Sequence, residues 1–142
     1  MPYEKLKFYQ NICEIRKLVY RITDRFKKTH MRLVSQMRDS ARSAKQNIRE
    51  GYRKDTAGEF GRSIKISAGS LNELEGDIDD CFEDQIITKD EYNKLKDLLG
   101  RTNYQIDRYL DTLYKLNKEG KWKSRFKKMV NIKNRRSISV NK

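Results

Sequence analysis

The chain has 142 residues, with 33 Lys and Arg against 20 Asp and Glu for a net charge of +13, one Pro and seven Gly. That length is ordinary for one domain and long enough to bury a core without disulfide or metal. A mixture so rich in charge and so poor in Pro and Gly excludes collagen-like and Gly/Pro-rich disordered chains and reads as helices, not as a sandwich.

Four amphipathic segments follow one another. The first is expected from about Tyr3 to Phe26, where Phe8, Ile12, Ile15, Val19, Ile22 and Phe26 recur at alternating spacings of four and three and so share a face. The second, about Met31 to Arg53, places Leu33, Met37, Ala41, Ala44 and Ile48 inside. The third starts at Thr56, which stands in capping-box spacing with Glu59, and its seam is Phe60, Ile64, Ser67, Leu71, Leu74, Ile78 and Cys81. The fourth starts with a second such pair, Thr88 and Glu91. It carries Tyr92, Leu95, Leu99, Thr102, Ile106, Tyr109, Leu113 and Leu116, and Gly120 is placed to cap it. Short connections force neighbours to run in opposite directions, so the expected fold is all-α, an antiparallel up-down four-helix bundle over residues 1–120. Residues 121–142 form a separate basic tail.

Some features exceed the needs of a single core. Gly61, Gly69 and Gly76 lie within the third helix, where each costs about 1 kcal/mol relative to Ala. Close packing inside the bundle compensates for that, and so does contact with a second subunit. A second apolar stripe on helix one (Leu6, Tyr9, Cys13 and Tyr20) favours the second subunit, on the expectation that one core cannot cover both stripes.

The charge is unevenly spread. Residues 121–142 hold nine basic residues and no acidic one, which leaves +4 for the first 120. Such a field attracts polyanions: RNA, DNA or an anionic surface. On helix two, Arg38, Arg42, Lys45, Arg49 and Arg53 form one row, and Lys17, Arg21, Arg25 and Lys28 form another on helix one. Arginines at this spacing can follow a phosphate backbone with bidentate contacts, or they can be an ordinary solvated face. In the tail, Trp122, Phe126 and Met129 fall on one helical face among Lys121, Lys123, Arg125, Lys127 and Lys128. Aromatic residues among cations stack on unpaired bases, insert into a membrane interface, or dock on the bundle, and composition leaves the three open.

Catalytic constellations are missing from the sequence. His30 is the only histidine, in the turn between helices one and two, and no HExxH, carboxylate–histidine pair, GxxxxGK[ST], GxGxxG or GxSxG occurs. The acid-rich end of helix three (Glu73, Glu75, Asp77, Asp79, Asp80, Glu83 and Asp84) points around the helix. It reads as a solvated face or as a docking site for basic residues of another chain, not as a metal site. Cys13 and Cys81 form no CxxC and are expected to be reduced thiols of core type. No apolar run exceeds Leu18-Val19-Tyr20, so no membrane span is expected and a cytoplasmic location is. No cofactor is expected.

Two sequence blocks resemble a known family. Gln36-Met37-Arg38, Ser43 and Asn47-Ile48-Arg49-Glu50-Gly51, continued by Glu59-Phe60, Arg62, Ile64, Ile66 and Gly69-Ser70-Leu71-Asn72-Glu73-Leu74-Glu75, resemble the signature of bacterial 23S rRNA intervening-sequence proteins. Accessory proteins of diversity-generating retroelements look like more distant relatives. The resemblance spans roughly residues 6–116. It implies a four-helix bundle assembled as a ring-like homopentamer with a basic surface, binding nucleic acid without catalysis. For the retroelement branch it implies association with a reverse transcriptase. Relative to the family pattern, Ser40, Ser63 and Ser67 replace Ala or large apolar residues, Ala44 replaces a larger aliphatic, Asp39 replaces a basic residue, and Lys27 stands at the turn in place of Pro. Asn47, Glu50, Ser70 and Glu73 lack a nucleophile–base pair and are expected to order the helix ends, with Gly51 terminating helix two.

The expected function is a non-enzymatic, oligomeric module that binds RNA, or DNA, through the arginine rows and the tail. The alternative is a protein-interaction adapter, such as an accessory subunit of a reverse transcriptase.

Overall fold

The computed structural model describes residues 2–120. A 3-10 turn at Tyr3–Lys5 leads into α1 (Lys7–Thr23), a second 3-10 turn at Lys28–His30 into α2 (Met31–Tyr52), and α3 (Ala57–Glu83) and α4 (Lys89–Lys118) complete the chain. Each helix packs on the next and α4 closes on α1, so the four form an all-helical bundle with no strand among the described residues. Cross-helix partners fix the directions. Gln36 meets Asp77 and Ser43 meets Ser70 across α2 and α3. Asn11 meets Gln105 across α1 and α4, and Arg25 at the far end of α1 meets Glu91 at the start of α4. Both pairs of helices are therefore antiparallel.

The helix ends follow local chemistry. The Thr56 hydroxyl accepts the Glu59 amide, and the Thr88–Glu91 pair closes reciprocally as a full capping box. Gly120, at φ 70°, takes the left-handed conformation that ends α4. The first helix is shorter than its periodicity suggests. The chain is extended at Leu6, so Tyr3 folds back edge-on against Tyr9 with ring centroids 5.0 Å apart. At the other end the Thr23 hydroxyl bonds the Val19 carbonyl at 2.6 Å, and Phe26 leaves the helix to pack near His30.

The seams close as their spacing requires. All seven seam residues of α3 are buried, as are Leu95, Leu99, Thr102, Ile106 and Leu113 of α4. On α2, Val34 is buried and Leu33 lies at the margin, a one-residue rotation from expectation. The second stripe on α1 is a correction. Leu6 and Tyr9 belong to the same core, because Tyr3 of the 3-10 turn packs on Tyr9 and is itself held against Tyr52, and the Tyr20 ring is flanked by Arg16 and Arg38. One core takes in Leu6 and Tyr9 and part of Cys13, while Tyr20 stays half-buried outside it.

The closest crossing is between α2 and α3. A Cβ added to Gly51 would lie 2.2 Å from the Ser63 Cβ, and the Ser67 hydroxyl donates to the Ala44 carbonyl at 2.6 Å. The small residues Ser63, Ser67 and Ala44 line that approach. Gly51 does not terminate α2, which continues through Tyr52; it is there because no side chain fits. Gly61 is likewise close-packed, with the Tyr114 ring 3.0 Å from where its Cβ would stand. Gly69 and Gly76 have nothing within 4 Å, so packing inside the bundle does not account for them.

Candidate nucleic-acid interface

The basic rows of α1 and α2 do not survive as two parallel tracks. Helix α2 turns Arg42, Lys45 and Arg49 toward α1, where Arg16 joins them, and these four with Gln46 line one shallow groove. No carboxylate lines it. Arg42, Lys45 and Arg49 take part in no ion pair among the described residues, so their charge is uncompensated. Arg53 extends the groove at the end of α2, beside Gln46, Arg49 and Glu50. On the far side of Gln46 the surface turns mixed, with Asp39, Ser43, Asn47 and Glu50.

Arg38 leaves the row. Its Nε donates to the Thr23 hydroxyl at 3.0 Å and its Nη2 to the Tyr20 carbonyl at 3.3 Å, while the guanidinium stacks 4.7 Å from the Tyr20 ring centroid. It satisfies the end of α1 and is not free for a phosphate. Arg25 is likewise engaged, in a two-pronged pair with Glu91 that holds the Glu91 carboxyl below its usual range and raises the guanidinium. Lys17 and Arg21 are exposed on α1 but line none of these grooves. Lys121, Trp122, Lys123, Arg125, Phe126, Lys127 and Lys128 lie outside the described residues. Arg16 was missed because it falls one residue before the row of Lys17 and Arg21. About 100° of helical rotation separates the two, and that turns Arg16 toward α2.

The signature residues do structural work beside the groove, on the α3 side of α2. The Asn47 amide donates to the Ser43 carbonyl at 2.8 Å and to its hydroxyl at 3.2 Å, and Ser43 in turn meets Ser70 at 3.1 Å. Gln46 reaches Glu50 at 2.9 Å, which ties one exposed turn of α2 to the next at the edge of the groove. None of these side chains forms a nucleophile–base pair with another.

With these contacts in view, the sequence profile of the 23S rRNA-intervening sequence protein family matches residues 4–108, which takes in α1, α2, α3 and most of α4. The chain belongs to that family. A search of characterised proteins found no match. Of the residues that carry the resemblance, Ser43 and Ser70 meet at the α2–α3 crossing and Arg49 lines the basic groove.

The acidic end of α3 is partly neutralised. Lys96 bridges Glu75 at 2.6 Å and Asp79 at 3.0 Å, which raises its pKa, and the Tyr92 hydroxyl donates to Asp79. Buried Asp77 accepts from Gln36; burial first, then its neighbours Asp80 and Glu73, push its carboxyl up. Burial and the same group of carboxylates raise the Cys81 thiol to about 11, so it stays a protonated core thiol. Among the described residues no three His, Cys, Asp or Glu side chains are placed to hold a metal ion, and no helix is long and apolar enough to cross a membrane.

Proposed function

We propose that this member of the family is a non-enzymatic, oligomeric RNA-binding module whose contact surface is the groove of Arg16, Arg42, Lys45 and Arg49, with the basic tail adding charge. The observation that carries this reading is the convergence of four cations from two helices on one groove without a carboxylate. Three guanidinium groups and an ammonium set this close repel one another, and a chain of phosphates relieves that repulsion while releasing counterions. Membership in a family named for 23S rRNA supports RNA over DNA as the polyanion. A homopentamer is the assembly that the resemblance implies. Exposed Met31 and Tyr104 supply apolar surface for it, and light scattering of the full chain should give a mass near five copies.

The test is a salt titration of binding to single-stranded RNA. Each phosphate contact contributes about 0.7 to the slope of log affinity against log salt. R42E/K45E/R49E is expected to flatten the slope by about 2 and R38E to leave it unchanged in the folded fraction. Equal slopes for wild type and triple variant would refute the groove. The second reading, a protein-interaction adapter such as a reverse-transcriptase accessory subunit, is favoured by the exposed carboxylates Glu73, Asp80 and Glu83 on α3. A reverse-transcriptase gene with template and variable repeats beside this one would support it.

A further inference from the structure

Of the four cations in the α1–α2 groove, one is held in place before any ligand arrives. Arg16 and Tyr20 stand four residues apart on α1, and a helical side chain leans toward the N-terminus, which brings the Tyr20 ring to the Arg16 guanidinium. The guanidinium carbon sits over that ring, 4.5 Å from its centroid. A contact of this kind engages the charge of the group and leaves its forked donors for other partners. Arg16 makes no hydrogen bond or ion pair among the described residues. The ring is held in turn by Arg38, which stacks on it at 4.7 Å while its Nε and Nη2 are committed to the Thr23 hydroxyl and the Tyr20 carbonyl. Two arginines thus share one ring with opposite outcomes. The donors of Arg38 satisfy the end of α1, and those of Arg16 stay open beside the groove. Arg42, Lys45 and Arg49 have no such support: none makes a hydrogen bond, ion pair or ring contact among the described residues, and Arg42 and Arg49 are exposed.

Resting on the groove reading proposed above, we infer that Arg16 is the anchor of the groove and that Tyr20 is the residue that positions it for a phosphodiester group of the bound strand. A long cationic side chain loses rotamer freedom when it grips a phosphate. Arg16 has lost much of that freedom in the fold, whereas the three α2 side chains lose theirs on binding. The difference amounts to about three- to tenfold in affinity for one side chain. The ring contact also persists when the guanidinium donors take up a phosphate, so nothing is broken to make the new bond. Coulomb attraction, by contrast, counts the four cations alike. The number of charges and the preorganisation of each therefore leave separate marks, one on the salt dependence and the other on affinity at fixed salt. Lysine is no substitute at position 16, because an ammonium offers neither the planar stack nor two parallel donors.

Binding of the full chain to a fluorescein-labelled oligouridine, followed by anisotropy across a salt series, tests this ranking. R16A, R42A and R49A each remove one charge and are expected to flatten the slope of log affinity against log salt alike, by about 0.7. At any one salt concentration R16A should weaken binding about three- to tenfold more than either of the other two. R16K should lose that same excess and keep the slope. Y20F retains the ring and should bind as wild type does. Y20L should lose the excess as R16K does, and in an R16A background it should change nothing further. The R16A and R16K arms decide the matter even if Y20L, at a half-buried position, fails to fold. Equal losses for R16A, R42A and R49A would overturn the inference and leave the groove standing. So would a Y20L loss as large without Arg16 as with it, which would make Tyr20 a structural residue only. If none of the three alanine variants moved affinity or slope, the groove reading itself would fall and take the anchor with it.

Discussion

The outward faces of α2 and α3 belong to the two helices that pack most closely, yet they present opposite surfaces. From α1 through α2, residues 7–52 carry twelve basic side chains against four acidic, whereas α3 carries two against seven. The α2 face is dense with long side chains, ordered by Gln46–Glu50 and Asn47–Ser43 and flanked by Arg16 from the next helix. The α3 face is stripped to glycine at two positions and makes no contact there. The glycines of the two helices differ in the same way. Gly51, on the inner side of α2, is required by the Ser63 side chain opposite, whereas Gly69, on the outer side of α3, has nothing opposite it. A glycine in a helix therefore says little until the opposing surface is known.

The sharpest way to break that contrast is at the crossing. Gly51→Leu is expected to lower unfolding free energy by about 3 kcal/mol, because the Ser63 Cβ and the buried Phe60 ring, not a flexible tip, stand in the way. Chemical denaturation of the variant checks it, and a loss under about 1 kcal/mol would mean that α2 and α3 separate easily. Arg38 comes next. Arg38→Ala removes the donor for the Tyr20 carbonyl and the Thr23 hydroxyl, and it should cost about 1–3 kcal/mol of stability while leaving the salt slope of RNA binding as it was. The reverse outcome, full stability with a flatter slope, would return Arg38 to the binding row.

On the open face the sign changes. Gly69→Ala and Gly76→Ala relieve backbone entropy without meeting any atom, and each should raise stability by about 0.5–1 kcal/mol, read from thermal or urea midpoints. The smallest effect concerns Asp77. Its folded carboxyl titrates above the ordinary value because of burial, so the folded state holds the proton more tightly than the unfolded chain. Its contribution to stability therefore declines as pH rises from the ordinary carboxylate range through the raised value. Asp77→Asn, which keeps an acceptor for Gln36, should remove that decline, and urea midpoints at several acid pH values would then run flatter than in wild type. Glu91 has the opposite sign. Arg25 lowers its pKa, so that pair stabilises the bundle above the ordinary range and is lost on acidification.

Much of the fold was legible because burial along a helix repeats with the helix. All seven α3 seam positions were readable from spacing alone, and the Thr88–Glu91 cap from three residues of local sequence. The net positive charge, its concentration beyond Lys121 and the family signature also stand in the sequence itself. What spacing cannot express is the distance and rotation between helices. Arg38 and Arg42 are one turn apart on the same row, yet one reaches the end of α1 and the other a groove, because α1 ends beside the first and runs past the second. Arg16 entered the site, and Leu6 and Tyr9 entered the core, through the same lateral packing. Whether a glycine admits a neighbouring side chain or faces open space depends on what stands opposite, as Gly51 against Ser63 and Gly69 with nothing near it demonstrate. Periodicity is a property of one helix; contact is a property of two, and only the packed bundle decides it.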